Sequence, residues 1–215
     1  MARTGPQLGA LLAASESARN VARQQHVVTI LRDLLVRVRR TPERLLHPLR
    51  RKKAIEALRA RRRPAKVLAV CHGNICRSPV AAALLARELE ALGVEVQSAG
   101  FIGFNRPAPA EAVAAAERHA VNLADHRSRL LTNDLARGAD LIVVMDASQR
   151  RLVCERFGRF PRDIVLLGDL DPAPVEARTV RDPIDQSRDV FDKTYDRIAR
   201  CVRELANALR SSREA

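Results

Sequence analysis

The sequence is poor in aromatic residues: it has no Trp, one Tyr and five Phe, which together make up 3% of its 215 residues. This scarcity argues against a nucleic-acid surface that stacks bases on aromatic side chains. Long apolar runs are also missing, and none approaches the roughly 20 residues that a membrane-spanning helix requires. The amino terminus lacks a basic segment followed by an uninterrupted apolar segment, so we predict no signal peptide.

Cysteine is scarce as well. The four cysteines, Cys71, Cys76, Cys154 and Cys201, include no C-x-x-C pair, so zinc sites and thioredoxin-type sites have no support. Four widely spread cysteines in a chain of this length do not predict a disulfide framework. We therefore expect a reduced, cytoplasmic setting.

The net charge of +13 is unevenly distributed along the chain. Residues 1–64 contain 16 Lys or Arg and 4 Asp or Glu, whereas residues 65–215 contain 22 and 21. We therefore predict a basic, mostly helical N-terminal extension with a linker at 1–64, and a globular domain at 65–215. Within the extension, apolar residues recur at helical spacing over residues 26–40 and again over residues 43–60.

The basic extension is open to more than one interpretation. A basic amphipathic segment can lie on an anionic membrane surface, and this would place the protein peripherally at the membrane through residues 26–63. It can equally be an arm that packs on the domain or on a partner. The extension contains no nucleic-acid-binding motif, so we do not expect a nucleic-acid partner.

From Lys66 onward, short apolar runs alternate with helical patterns. The predicted strands are Lys66–Val70, Val94–Ser98, Asp140–Met145 and Ile164–Leu167; the predicted helices are Pro79–Leu92, Ala110–His119, Leu131–Ala136, Ala147–Arg156 and Val190–Leu209. This alternation predicts an α/β fold with a doubly wound parallel sheet that is covered on both faces. In such sheets, ligands bind beyond the carboxyl ends of the strands.

The stretch Cys71–Pro79, with the sequence CHGNICRSP, connects the first strand to the first helix of this domain. A loop at a helix N-terminus presents N–H groups that bind anions. Gly73 and Asn74 permit the left-handed backbone that turns such groups inward, and Ser78 and Pro79 suit the start of a helix. Because the chain contains 34 Arg, the spacing between Cys71 and Arg77 is weak evidence by itself. The prediction of an anion-binding loop rests on the residues between and after them.

This loop resembles the C-x-G-N-x-C-R-S-P motif of the low-molecular-weight protein tyrosine phosphatases, and the chain looks like a bacterial-type member. The resemblance covers about residues 65–212 through Ser98-Ala99-Gly100, His126, Met145-Asp146 and Asp182-Pro183. It implies a four-stranded sheet of flavodoxin-like order and hydrolysis of protein phosphotyrosine and aryl phosphates through a phosphocysteine intermediate. It implies no metal and no cofactor. The implied partner is a tyrosine-phosphorylated protein, for example a bacterial tyrosine kinase.

The chemistry of this reaction assigns roles to three residues. Cys71 is the predicted nucleophile, because loop N–H groups, a helix N-terminus and a nearby cation all favour a thiolate. The planar fork of Arg77 suits two phosphoryl oxygens. The leaving oxygen needs a proton from a general acid. The acids of the loop Asp169–Asp189 are not distinguished by their surroundings in the sequence, and the resemblance implies Asp182.

The resemblance also implies which residues bind the substrate and support the loop. The substrate-binding set is His72, Gly73, Asn74, Ile75, Cys76, Ser78, Phe104 and Ile184. Ser98 and His126 would bond with Asn74, and Cys76 would form a reversible disulfide with the nucleophile. Ile75 is typical of tyrosine-directed members, whereas Ile184 replaces an aromatic residue that is usual in the family.

Two other functions remain as alternatives. A thiol-linked arsenate reductase on the same fold would relay electrons through two further cysteines, for which only Cys154 and Cys201 are available. A non-enzymatic binding module would act through the basic extension. The separation of Cys154 and Cys201 by 47 positions and the pair Ser78-Pro79 favour the phosphatase over the reductase, and the intact set of Cys71, Arg77 and Asp182 argues against a non-enzymatic module.

Overall fold

The computed structural model describes residues 43–212, and these residues form a parallel sheet with helices on both faces. The strands are β1 (Lys66–Cys71), β2 (Glu95–Gly100), β3 (Leu141–Val144) and β4 (Ile164–Leu166); the helices are α1 (43–60), α2 (Arg77–Leu89), α3 (Ala110–Glu117), α4 (Asn133–Gly138), α5 (Ala147–Phe157) and α6 (Arg188–Arg210). The strand order is β2-β1-β3-β4, and every pairing is parallel. The predicted α/β fold and flavodoxin-like order are confirmed.

The two faces of the sheet follow from the period-two alternation of the strands. In β1, Val67, Ala69 and Cys71 belong to a core shared with α2 and α6, whereas Leu68 and Val70 belong to a second core. β3 divides in the same way between the two cores. A strand that is buried on both faces therefore appears in the sequence as a continuous apolar run.

Small differences from the predicted boundaries have local causes. Helix α4 begins two residues later than predicted, because the side chain of Thr132 caps it by accepting a hydrogen bond from the N–H of Leu135. Strand β4 ends at Leu166, because a 3₁₀ turn occupies Leu167–Leu170. Helix α2 begins at Arg77 rather than Pro79.

Helix α1 is part of the packed domain. The side chain of Leu58 is 1% exposed and belongs to the core of α2 and α6, with Ala54 and Ile55 packed against it. His47 Nε2 donates to the carbonyl oxygen of Asp171 over 2.8 Å, and Arg51 forms an ion pair with Glu204. The compact unit therefore begins at Glu43, upstream of the domain border predicted at residues 64 and 65.

The helical pattern predicted over residues 43–60 is confirmed, and the pattern predicted over residues 26–40 lies outside the described residues. Among the residues that are described, no helix is long and apolar enough to span a membrane.

The chain order places a ligand site at the carboxyl end of β1. From β1 the chain crosses to β2 on one side, and from β2 it returns to β3 on the other side of β1. This is the switch in strand order next to which doubly wound sheets bind ligands. The loop that follows Cys71 lies at this switch.

Candidate active site

A concavity of about 180 Å³ opens at the carboxyl end of β1. Its lining consists of Cys71, His72, Gly73, Ile75, Cys76, Arg77, Ile102, Arg106, Asp182 and Ile184. The residues come from the loop between β1 and α2, the segment after β2 and the segment before α6. The predicted residues Cys71, Arg77 and Asp182 therefore share one site.

The sulfur of Cys71 lies on the floor of this site, with the residue 2% exposed. Ser78 Oγ donates to Cys71 Sγ over 3.0 Å, and the backbone N–H of Asn74 donates to the same sulfur over 3.3 Å. The side-chain amide of Asn74 donates to Ser78 Oγ over 2.9 Å. The Ser78 hydroxyl has two acceptors within reach, and Cys71 Sγ is nearer than the carbonyl oxygen of Ala99, which lies 3.4 Å away. Both donors stabilise a negative charge on Cys71.

Asn74 also holds the loop in its curved shape. Its backbone is left-handed, with φ of 51°, which Asn tolerates better than most residues. Its amide donates to Ser98 Oγ over 2.9 Å, and its Oδ1 accepts from the N–H of Arg129 over 2.8 Å. His126 Nε2 lies 2.6 Å from the carbonyl oxygen of Asn74, so this nitrogen carries the proton and donates it. Every polar group of Asn74 therefore contributes to the shape of the loop.

The end of β2 fits closely beneath the loop. A Cβ atom on Gly100 would lie 2.7 Å from the backbone nitrogen of Asn74 and 2.9 Å from the carbonyl oxygen of His72. That oxygen accepts from the N–H groups of Phe101 and Ile102 over 2.8 and 3.1 Å. A glycine is required at position 100 because any side chain there would push the end of β2 away from the loop between β1 and α2.

Arg77 connects the loop to the predicted general acid. The residue is 3% exposed, and its Nη1 donates to the carbonyl oxygen of Val180 over 3.1 Å. Its Nη2 forms an ion pair with the Asp182 carboxylate. The N–H of Val180 donates to the carbonyl oxygen of Met145 at the end of β3, over 2.9 Å. Arg77 thus positions the segment that carries Asp182, and its Nε has no hydrogen-bond partner among the described residues.

The N-terminus of α2 adds to the positive potential of the site. No side chain among the described residues caps this helix, and its first turn contains no acidic residue. The free N–H groups of a helix N-terminus and the helix dipole favour a bound anion. Together with the loop N–H groups and Arg77, they form a cradle suited to a phosphate group.

Two buried groups beneath the loop stay uncharged at neutral pH. Burial above all, together with the charges of Cys71 and Asp182, raises the pKa of the Cys76 thiol to about 12 against the opposing effect of Arg77 and Arg106. Burial also raises the pKa of Tyr195. The Tyr195 hydroxyl donates to the carbonyl oxygen of Cys76 over 3.1 Å and so ties the loop to α6. Cys71 and Cys76 are both free thiols.

The structure places most of the predicted site residues together. His72 is exposed at the rim, and Gly73, Ile75, Cys76 and Ile184 line the concavity. Asn74 and Ser78 lie behind the loop, where Ser98 and His126 contact Asn74.

Phe104 is not brought to the concavity. It is 74% exposed and does not line the site, whereas Ile102 and Arg106 do. Sequence reasoning missed these two residues and Tyr195. For Ile102 and Arg106, their proximity to Ser98-Ala99-Gly100 was an available signal; nothing in the sequence points from Tyr195 to the loop.

The cysteines that an arsenate reductase would need are separated. Cys201 lies in the core of α2 and α6, whereas Cys154 packs against the second core. The two thiols are therefore on opposite faces of the sheet and do not form a relay pair.

A doubly wound α/β sheet with this anion cradle defines a phosphate-binding domain. Comparison with known proteins identifies its family. The sequence model of the family "Low molecular weight phosphotyrosine protein phosphatase" matches residues 66–215. The chain therefore belongs to this phosphatase family.

Similar proteins include phosphatases of two named specificities. The low molecular weight protein-tyrosine-phosphatase Etp of Escherichia coli strain K12 is 36% identical over 144 residues, which are 66% of this chain and 93% of Etp. The protein-arginine-phosphatase of Bacillus subtilis strain 168 is 36% identical over 152 residues, which are 68% of this chain and 98% of that protein. The crystal structure of the tyrosine phosphatase AmsI of Erwinia amylovora is 32% identical, with a TM-score of 0.61, and the match covers 67% of this chain and 93% of AmsI. Overall identity therefore does not separate the two specificities.

Proposed function

We propose that this phosphatase hydrolyses phosphotyrosine in proteins, and aryl phosphates generally, through a phosphocysteine intermediate on Cys71. The observation that carries the proposal is the sulfur of Cys71, which accepts hydrogen bonds from Ser78 and Asn74 on the floor of a concavity that also contains Arg77 and Asp182. These groups supply the nucleophile, the charge stabilisation and the proton that the reaction needs.

In the first step, the Cys71 thiolate attacks the phosphorus atom, and an S–P bond forms as the P–O bond to tyrosine breaks. Asp182 enters this step protonated, once the phosphate has replaced its carboxylate on Arg77, and gives its proton to the departing phenolate oxygen. Arg77 and the N–H groups of the loop and of α2 bind the other phosphoryl oxygens. The ion pair between Arg77 and Asp182 keeps the acid next to this phosphate cradle before substrate binds.

In the second step, the Asp182 carboxylate takes a proton from a water molecule, and the water oxygen attacks the phosphorus. The S–P bond breaks, inorganic phosphate leaves and Cys71 returns to the thiolate. The bonds from Ser78 and Asn74 favour this departure, because they stabilise the charge that returns to the sulfur.

The walls of the concavity favour tyrosine over arginine as the phosphorylated residue. Ile75, Ile102 and Ile184 present aliphatic surface, which a phenyl ring can cover without loss of hydrogen bonds. The guanidinium of a phosphoarginine carries further N–H donors, and leaving them unpaired against aliphatic side chains costs free energy. Ile184 provides this apolar wall in place of the aromatic residue that is usual in the family.

The partner that follows from this proposal is a cytoplasmic tyrosine-phosphorylated protein, and a bacterial tyrosine kinase is one such substrate. Recognition of this partner at the concavity depends on the local charges of Arg77 and Arg106, which line it.

The test is a rapid acid quench of the enzyme mixed with a phosphotyrosine peptide carrying labelled phosphate. We expect label bound covalently to wild-type protein and to the variants Cys154→Ala and Cys201→Ala, and none to Cys71→Ala. Peptide mapping should place the label on Cys71. Label on another residue, or turnover by Cys71→Ala at the wild-type rate, would contradict the mechanism.

The same enzyme should then be compared on peptides that carry phosphotyrosine or phosphoarginine at one position. We expect the larger kcat/KM for phosphotyrosine. A larger value for phosphoarginine would keep the phosphocysteine mechanism and replace the proposed substrate.

A further inference from the structure

Five arginines gather at the opposite edge of the sheet from Cys71. They line a concavity of about 480 Å³, together with Pro64, Ala65, Ala139, Asp140 and Asp163. We name them the amino-edge arginine cluster: Arg61, Arg62, Arg63, Arg137 and Arg159. Ala65, Asp140 and Asp163 directly precede β1, β3 and β4, so the cluster lies at the amino ends of the strands. It is separate from the catalytic loop at their carboxyl ends.

Charge in this concavity is poorly compensated. Only two of its lining residues are acidic, Asp140 and Asp163, against five arginines. Asp140 Oδ2 accepts the backbone N–H groups of Ala65 and Lys66 over 2.8 and 2.9 Å. Asp163 is 3.5 Å from Arg159. Asp140 therefore accepts hydrogen bonds from the backbone, and Asp163 pairs with a single arginine. The concavity is left with an excess of positive charge.

The guanidinium groups of the amino-edge arginine cluster have unused donors. The Nε atoms of Arg61, Arg63 and Arg159 are buried and have no hydrogen-bond partner within the part of the chain that the structure describes. Single unpartnered Nε atoms also occur at Arg51 and Arg77, but only this concavity brings three together among the described residues, whereas Arg178 makes two hydrogen bonds to Asp169 and Arg197 is paired with Asp171. A buried donor without a partner costs free energy, so three in one concavity indicate a missing acceptor.

The electrostatics agree with this conclusion. Burial lowers the pKa of Arg61, and the nearby positive charge of Arg159 lowers it too, while Asp163 and Asp140 act in the opposite direction. An anion bound between the guanidinium groups would offset the repulsion between Arg61 and Arg159.

A second concavity shares Arg61 with the first and also has a basic lining. It has a volume of about 420 Å³, and its basic lining residues are Arg50, Lys53, Arg61, Arg150, Arg162 and Arg178. Of these, Arg178 is neutralised by Asp169 and Arg50 by Glu43. The remaining charge extends the field of the amino-edge arginine cluster.

We propose that the amino-edge arginine cluster is a second anion-binding site, which binds a ligand with two or more phosphate groups. The guanidinium fork matches phosphate oxygens in pairs. Each phosphate monoester carries about 1.5 to 2 negative charges, whereas an acidic peptide carries one charge per residue. A compact polyphosphate or phosphorylated headgroup can therefore supply several charges within the volume of this concavity.

The experiment is calorimetric titration of the full chain with sodium tripolyphosphate at low salt. The test variant Arg61→Gln/Arg63→Gln/Arg159→Gln is compared with the control Arg87→Gln/Arg118→Gln/Arg203→Gln, which removes the same charge from other surfaces. We expect the test variant to raise the Kd at least about tenfold, since each charged hydrogen bond contributes substantially to affinity. The control should change the Kd less than about threefold, as expected for screened surface charge.

A second arm of the experiment identifies the source of the phosphate. Full-length proteins are sedimented with vesicles that contain cardiolipin, whose headgroup carries two phosphates, and, for comparison, with vesicles of phosphatidylcholine alone. Loss of retention on the cardiolipin vesicles in the test variant alone indicates a lipid headgroup; weakened tripolyphosphate binding without a vesicle effect indicates a free ligand. Either result supports the site.

Two outcomes would overturn it: no binding of either probe by wild type, or an equal loss in test and control variants. Arg61 also donates to the carbonyl oxygen of Asp140 over 2.7 Å, so its replacement could disturb folding. The single variant Arg63→Gln avoids this contact and should lose part of the affinity. Hydrolysis of p-nitrophenyl phosphate at the wild-type rate checks that each variant is folded.

Discussion

The guanidinium of Arg77 and the carboxylate of Asp182 form an ion pair between residues 105 positions apart in the sequence. The same guanidinium holds the carbonyl oxygen of Val180. One buried side chain therefore fixes both the phosphate cradle and the segment that carries the proposed acid. Phosphate binding and the placement of Asp182 therefore both depend on Arg77.

Replacement of Arg77 by Lys should cause a large loss of activity although the charge is kept. An ammonium group cannot match the planar fork, and we expect kcat/KM for p-nitrophenyl phosphate to fall by about 10²–10³-fold. Hydrogen exchange of the amide of Val180 should also become faster. The control Arg118→Lys, which keeps charge at the surface pair with Asp192, should leave both measurements unchanged.

Replacement of Asp182 by Asn should reduce kcat by about 10²–10⁴-fold on phenyl phosphate, whose leaving group needs a proton. The effect should be smaller on substrates with more acidic leaving groups. Asp185→Asn is the matched control: Asp185 has φ of 57°, which Asn also accepts. An equal loss in both variants, independent of the leaving group, would contradict a proton-donor role for Asp182.

Iodoacetate should alkylate Cys71 selectively near pH 7. The hydrogen bonds from Ser78 and Asn74 stabilise its thiolate, whereas Cys76 and Cys201 are buried thiols with pKa values of about 12. Ser78→Ala should slow the reaction by about tenfold, as expected for loss of one hydrogen bond to a charged group. Peptide mass spectrometry gives the site, and inorganic phosphate should protect it. Preferential labelling of Cys76 would argue against this arrangement.

The buried thiols also predict a loss of stability in alkali. The ordinary pKa of cysteine is 9.0, and burial raises that of Cys76 and Cys201 to about 12. Above pH 9 the unfolded chain releases these protons and the folded chain keeps them. The free energy of unfolding should therefore fall by about 1 kcal/mol per thiol between pH 9 and pH 10.

Urea unfolding under reducing conditions measures this effect. The variant Cys76→Ala/Cys201→Ala should show a shallower decline than wild type over this pH range. Cys154→Ala, which leaves both buried thiols in place, should keep the wild-type slope. Parallel declines in all three proteins would show that other groups cause the alkaline loss.

Helix α1 should contribute to the stability of the whole domain. Leu58→Ala removes a core side chain that is 1% exposed, and such changes cost about 2–5 kcal/mol. Leu45→Ala on the same helix removes a side chain that is 71% exposed and should cost less than about 0.5 kcal/mol. Thermal unfolding checks both variants, and similar melting temperatures would mean that α1 does not share the core.

Much of the fold was accessible from the sequence because its patterns are local. The apolar run of β3, for example, is buried on both faces. Such a run is typical of a central strand in a parallel sheet. The packing of α1 was not accessible: the sequence shows an apolar stripe on this helix, but it does not show whether that stripe meets a membrane, a partner or the domain's own core.

The candidate site was predictable to the extent that residue type decides its chemistry. Phe104 was expected at the wall because it is aromatic, yet the turn at Gly103, with φ of 75°, leaves it exposed. Ile102 and Arg106 line the concavity instead. Side-chain direction after a tight turn depends on backbone geometry, which residue type does not determine. The contact of Tyr195 with the loop depends on how α6 packs, which is a property of the whole fold.

The seating of Leu58 in the core has a practical consequence for fragments of this protein. The family match begins at residue 66. A shortened protein that begins at this residue would therefore lack α1, whose Leu58 packs in the core of the domain. This truncated protein would expose the apolar surface that α1 normally buries, and it would tend to aggregate. Purification tags and fusion partners therefore belong upstream of Glu43.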